Sequence, residues 1–335
     1  MHMKWTYPFV LGLLVLSASC SNTSSSYYYT ANEGGSISKI NAVKNSVVDT
    51  IKIDGSVHNV QVSPDGKIIG ATVVPQMGSH FEGGHDMRMN GTAVFYDSKT
   101  NKFIKKVEVG SHPAHIVFTE DGKYAVITNN GDNNVSVIDT ESYEVVKTIP
   151  TGKAPHGFRI SKDSKYAYIA NMGEDTVSVL DLTGFTELKK IKVGKTPVTT
   201  GITSDNKTLL VTLNAENAVA IVDLVTGRVE KVPVGTGPAQ VFISPNDRFA
   251  YIANQGTEEH PSHSITKIDI EAKKVMATIE TGLGTHGVVT SSDGKFLYAT
   301  NMYENTVSVI DAEQNKVTST VKVGQTPNGI SFQKP

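Results

Sequence analysis

The sequence predicts an all-β fold, a seven-bladed β-propeller with four antiparallel strands per blade, on three observations. The phrase VSVID or a variant recurs: VSVIDT from Val135, VSVLDL from Val177, VAIVDL from Val219, ITKIDI from Ile265 and VSVIDA from Val307, with AVFYDS from Ala93 as a weaker copy. After each copy a strand ends in glycine, at Gly110, Gly152, Gly194, Gly235, Gly282 and Gly324, at spacings of 42, 42, 41, 47 and 42 residues. The two ends of the chain carry complementary parts of one such unit. Four strands in about 42 residues is the period of a propeller blade.

The elements follow in order. Lys4, the apolar run Tyr7–Leu16, the small residues Ser17-Ala18-Ser19 and then Cys20 read as a signal peptide over residues 1–19. The run is too short to span a bilayer. Cys20 is the only cysteine, so no disulfide supports the fold. Leu16–Cys20 resembles a bacterial lipobox, with Ser17 in place of the usual aliphatic residue. That resemblance implies lipidation at Cys20, with residues 20–26 as anchor and flexible tether. The expected location is the periplasm or cell surface, anchored to the membrane.

Residues 27–335 form the propeller. YYYTAN, GSISKIN and VVDTIKIDG are strands two to four of a blade whose first strand is the C-terminal TPNGISFQ. Closing one blade from both ends removes an open sheet edge. In the unit from Gly152, HGFRIS, YAYIAN, TVSVLD and LKKIKVG are the four strands, and KDSK is the first turn. The surplus over seven periods matches two insertions, PQMGSHFEGGHDMRMNG and GTEEHPSH.

Formal net charge is −2 and no Lys/Arg block stands out, which argues against a nucleic-acid partner. Nucleophile-elbow, phosphate-loop and zinc-protease motifs are absent. A single cysteine excludes covalent c-type heme. Asp97, Asp139, Asp181, Asp223, Asp269 and Asp311 recur at the end of strand three, and Asn32, Asn129, Asn171, Asn254 and Asn301 at the end of strand two. Repetition in blade after blade points to turn-making and hydrogen bonding.

Antiparallel order puts the two–three and four–one loops on one face, the top. His58, His156 and His286 hold equivalent places, predicted as the first residue of the innermost strand at the funnel mouth. Other blades have Ala114, Val198, Ala239 and Asn328 there. His112 and His115 fall in one four–one loop, His80 and His85 in the first insertion, and His260 and His263 in the second. Met77, Met87, Met89, Met172 and Met302 are all in two–three loops. All nine histidines after the signal therefore map to the top. Neutral imidazole is the commonest metal ligand and thioether favours Cu(I). The expectation is a copper site, with zinc as the alternative. Its ligands are drawn from His58, His115, His156 and His286, with His80 and His85 closing over them. His112, His260, His263 and the methionines are secondary candidates. A redox or metal-delivery protein is the expected partner on this face.

The units GKAPHGFRISKDSKYAYIAN and GLGTHGVVTSSDGKFLYATN look like YVTN-type repeats of the YncE-like propellers. They also resemble the heme d1 propeller of cytochrome cd1 nitrite reductases and, more distantly, the nitrous oxide reductase propeller. The heme d1 likeness implies a second reading, a tetrapyrrole-binding or maturation protein. His58, His156 or His286 would be the axial ligand, and Arg88 would face a heme carboxylate. A third reading, a cofactor-free interaction scaffold, predicts histidines that diverge. Histidine followed by glycine belongs to the ordinary repeat, so His156 and His286 alone do not separate the three.

Overall fold

A computed structural model describes residues 1–3, 26–75 and 89–334. Residues 4–25, most of the expected signal and tether with Cys20, and Met77, His80, His85, Met87 and Arg88 lie outside the described residues. Within them the chain makes twenty-eight strands, β1–β28 in chain order, in seven four-stranded antiparallel sheets. No described helix is long and apolar enough to cross a membrane.

Burial falls from axis to rim in every blade. In one, YAYIAN (Tyr166–Asn171) and TVSVLD (Thr176–Asp181) are buried along most of their length, while the outer TELKKIK (Thr186–Lys192) is mostly exposed. Middle strands are covered on both faces because blades stack on one another, so their sequences read as near-continuous apolar runs. The core is therefore seven inter-blade layers. One joins Val117, Val126, Val135 and Ile149 to Phe158, Ile160, Ile169 and Leu180 of the next blade.

The recurrent polar residues hold the turns. Asn171 Nδ2 donates to Thr176 Oγ1 (3.0 Å) and Ser178 Oγ (2.9 Å), and Asn32, Asn129, Asn254 and Asn301 repeat the pattern. Asp139 Oδ1 accepts the N–H groups of Glu141 and Ser142 in the next turn. These repeated groups are structural staples.

The predicted closure is present. β28 (Pro327–Phe332) pairs antiparallel with β1 (Tyr27–Asn32), followed by β2 (Ser36–Asn41) and β3 (Ser46–Lys52). The inner wall of the ring is β28 with β4 (Ser56–Val62), β8 (Pro113–Phe118), β12 (Pro155–Ile160), β16 (Pro197–Ile202), β20 (Pro238–Ile243) and β24 (Thr285–Thr290).

Each inner strand has a register shift near its upper end, such as Pro155/Phe158 against β13 and Val57/Asn59 against β5. One extra residue in a strand re-aims the side chains around it. Residues three apart then share the lumenal side, where a regular strand would alternate. The expected strand-start position moves accordingly. His156 and His286 are second in their strands and His58 third, and His115 lies within β8 instead of in a loop.

Candidate metal centre

Three consecutive blades bring His58, His115 and His156 together, with one ring nitrogen from each within 4.8 Å of the others. Ring centroids are 5.3 Å apart for His58–His156, 5.0 Å for His115–His156 and 6.1 Å for His58–His115. His58 Nε2 and His156 Nε2 are 3.3 Å apart. The small Ala114 stands between these two in ring order. The histidines converge, where a scaffold without a cofactor had been expected to spread them.

The outer nitrogens are held from behind. His58 Nδ1 is 2.9 Å from Glu33 Oε1. A carboxylate only accepts, so Nδ1 carries the proton. Asn328 Nδ2 donates to the same oxygen (2.7 Å) and fixes the carboxylate. His156 Nδ1 donates to Val198 O (3.3 Å), a carbonyl of the next blade. In both rings Nδ1 is engaged from behind, so the two Nε2 atoms are left facing each other. His115 is 1% exposed, and neither of its ring nitrogens has a hydrogen-bond partner. An unpartnered buried polar group costs about 1–3 kcal/mol.

His115 departs from the repeat. The equivalent residues in the other two histidine blades with glycine are Gly157 and Gly287, where a Cβ would stand 2.1 Å from Thr199 Cγ2 and 2.5 Å from Asn328 O of the following blade. The blade that follows His115 has Gly157 at that place, which leaves room for an imidazole.

Burial keeps two of the three rings neutral. Burial, with the neighbouring histidines, holds His115 well below the usual histidine range. Burial likewise takes His156 down to about 3 and His286 to about 4. Burial pushes the Glu33 carboxyl up. The hydrogen bond and charge of His58, with help from Asn328 and His286, outweigh it and bring Glu33 to about 2. At neutral pH His115 and His156 are thus uncharged, as metal ligation requires, and the Glu33 carboxylate stands behind His58.

Depressed histidine pKa values predict an acid-labile fold. The unfolded chain takes up protons from about pH 6.5 downward while the folded chain does not, so stability is present above that pH and falls below it. His286, 6% exposed and titrating at about 4, contributes a loss on the order of 3 kcal/mol between pH 7 and pH 4. Urea midpoints for metal-free protein at pH 7, 5.5 and 4.5 should fall steadily. A flat profile would mean that these imidazoles protonate in place.

The other sequence candidates sit apart. His286 Nδ1 is engaged by Asn328 O (3.3 Å), and the ring does not belong to the group of three. His112, His260 and His263 are exposed, and His112 has φ 53°. The second insertion is a strand extension from β21 (Phe249–Gly256) into β22 (Pro261–Asp269), with both its histidines turned to solvent. Met89 is exposed, Met172 is half-buried, and Met302 Sδ accepts from Gln255 Nε2 (3.3 Å). Sequence reasoning missed Glu33. Its one signal was a carboxylate in the two–three turn of the blade that supplies Asn328.

A family model described as YncE-like beta-propeller matches residues 89–333. No curated protein sequence matches significantly. Among solved structures, a chain of Kuenenia stuttgartiensis hydrazine synthase superposes with TM-score 0.71 at 21% identity, covering 82% of this chain and 89% of that one. A Desulfotomaculum acetoxidans protein of unknown function gives 0.77 at 14% identity, covering 93% and 100%. A candidate 6-phosphogluconolactonase of Bacteroides fragilis gives 0.73 at 16%, covering 93% and 99%. At these identities the likeness is one of fold.

Proposed function

The chain belongs to the YncE-like beta-propeller family, and we propose that it binds one transition-metal ion, copper before zinc, at His58, His115 and His156. The observation that carries this reading is the convergence of one ring nitrogen from each of three histidines within 4.8 Å, with two Nε2 atoms 3.3 Å apart. Metal–nitrogen bonds of about 2.0–2.1 Å in a tetrahedral site put neighbouring ligand nitrogens about 3.3 Å apart. His115, with no internal partner, is the third donor.

Glu33 and Val198 O play the outer-shell part, fixing the tautomer and turn of the ligating rings and raising their basicity. Three protein ligands leave a tetrahedral ion one position for water or an exchanging donor. Imidazole suits both copper and zinc, and Cu(II) stands above Zn(II) in the divalent affinity order. Thioether is not part of the argument, since Met302 is engaged by Gln255. A tetrapyrrole in the same funnel asks for one free imidazole beneath a flat wall. Three rings packed at 5.0–6.1 Å suit a single ion better. The function that follows is metal handling, or redox work at a bound copper.

Calorimetric titration of chelator-treated protein with Cu(II) and Zn(II) tests this. One equivalent should bind at micromolar affinity or better. The Cu(II) form should show electron paramagnetic hyperfine structure from imidazole nitrogens. Binding below a tenth of an equivalent, or binding unchanged in a His58→Ala/His156→Ala double variant, would reject the proposal.

A further inference from the structure

Below the histidines the axial channel carries a second set of groups. The bulges send another side chain inward three residues further along each inner strand. These are Gln61, Val117, Arg159, Phe242, Val289 and Ser331, while Gly201 adds none. With their neighbours they line a cavity of about 400 Å³ that all seven inner strands share.

Arg159 is the one charged residue in that layer. Its Nη1 donates to Phe158 O (2.9 Å) and its guanidinium lies 6.0 Å from the Phe242 ring centroid. It has no carboxylate partner among the described residues. The acids at the lower mouth are occupied, since Glu120 pairs with Lys334 (3.7 Å) and Asp247 accepts from Ser204. Burial lowers the guanidinium to about 10, so it remains charged at neutral pH. A half-buried cation without a counter-charge is costly unless a ligand supplies one.

We propose that the channel binds a small organic carboxylate at Arg159, reached from the face opposite the histidines. The guanidinium fork matches a carboxylate in a two-point contact. Ser331 Oγ accepts the Val62 N–H (3.0 Å), which leaves its hydroxyl proton free to donate. The Gln61 amide has no hydrogen-bond partner among the described residues. Val117, Phe242 and Val289 give the carbon skeleton an apolar wall. The volume lies in the range of small-molecule sites and exceeds what a bare inorganic oxyanion fills. This site does not depend on the metal reading.

The test uses chelator-treated full-length protein, which separates the two proposals. Benzoate, acetate and inorganic phosphate are titrated calorimetrically at low salt. Benzoate should bind saturably at one site, with phosphate about tenfold weaker or worse. Arg159→Met should weaken benzoate by about 30-fold or more, the loss expected when one partner of a buried charge pair is removed. Arg159→Lys should fall between. A second arm needs no variant: benzoate should shield Arg159 from phenylglyoxal, mapped by mass spectrometry, while the exposed Arg228 and Arg248 react unchanged. No saturable benzoate binding at millimolar concentration, equal binding by Arg159→Met, tighter phosphate binding, or no protection of Arg159 would each overturn the proposal.

Discussion

A chain that stops at Thr326 loses cooperative folding altogether. The deletion removes β28, the inner strand of the closing blade, and bares the edge of β1 over Tyr27–Asn32. It also takes Ile330 out of a core layer shared with Tyr28, Val289 and Tyr298. Both inner-strand seams, to β4 and to β24, open with it. The loss exceeds the 5–15 kcal/mol by which a domain of ordinary stability stays folded, and the open edge invites association with other chains. Urea titration followed by far-ultraviolet dichroism, with size-exclusion chromatography, checks this. A monomer with a sharp transition would show that the other six sheets stand without closure.

His115→Leu should move metal binding and stability in opposite directions. The imidazole is 1% exposed with both nitrogens unpartnered, so a similar apolar volume removes an unsatisfied group. Metal-free His115→Leu is expected to be more stable than the natural protein by about 1–3 kcal/mol. It should also lose metal affinity by more than about 100-fold, beyond the 10–100-fold cost of removing an outer-shell partner. Free metal at about a hundred times its dissociation constant stabilises the natural protein by about 2.7 kcal/mol. The variant should gain nothing at that concentration. Thermal unfolding with and without Cu(II) reads both quantities. A variant that is less stable and still shifts with copper would make His115 a packing residue.

The ring was legible because each blade repeats the same solution. Recurrent VSVID phrases, glycine spacing and split terminal strands specify sheet number, strand order and closure with no reference to side-chain detail. His58 and His156 were legible for the same reason, as departures at one column of the repeat. The centre itself was less so. His115 sits one column over from them, and only the bulge at Pro113/Ile116 and the glycine at 157 let it reach the same point. His286 shares the column of His58 and His156, but the closing blade with Asn328 stands between it and His58 in the ring, and it lies outside the group of three. Glu33 acts across the closure from a turn with no repeat signature. Arg159 had a signal that went unread, as the sole charge in a column otherwise filled by Gln61, Val117, Gly201, Phe242, Val289 and Ser331.

The position of Asn328 orders events in the life of the molecule. Its amide steadies the carboxylate behind His58, and its carbonyl holds His286. It resides on β28, which is synthesised after every other described strand. A nascent or partly threaded chain therefore presents His58 and His286 with their backing unfinished. On the proposed reading, the His58 ligand is oriented only once the ring has closed, so occupancy of the site would report completion of the fold.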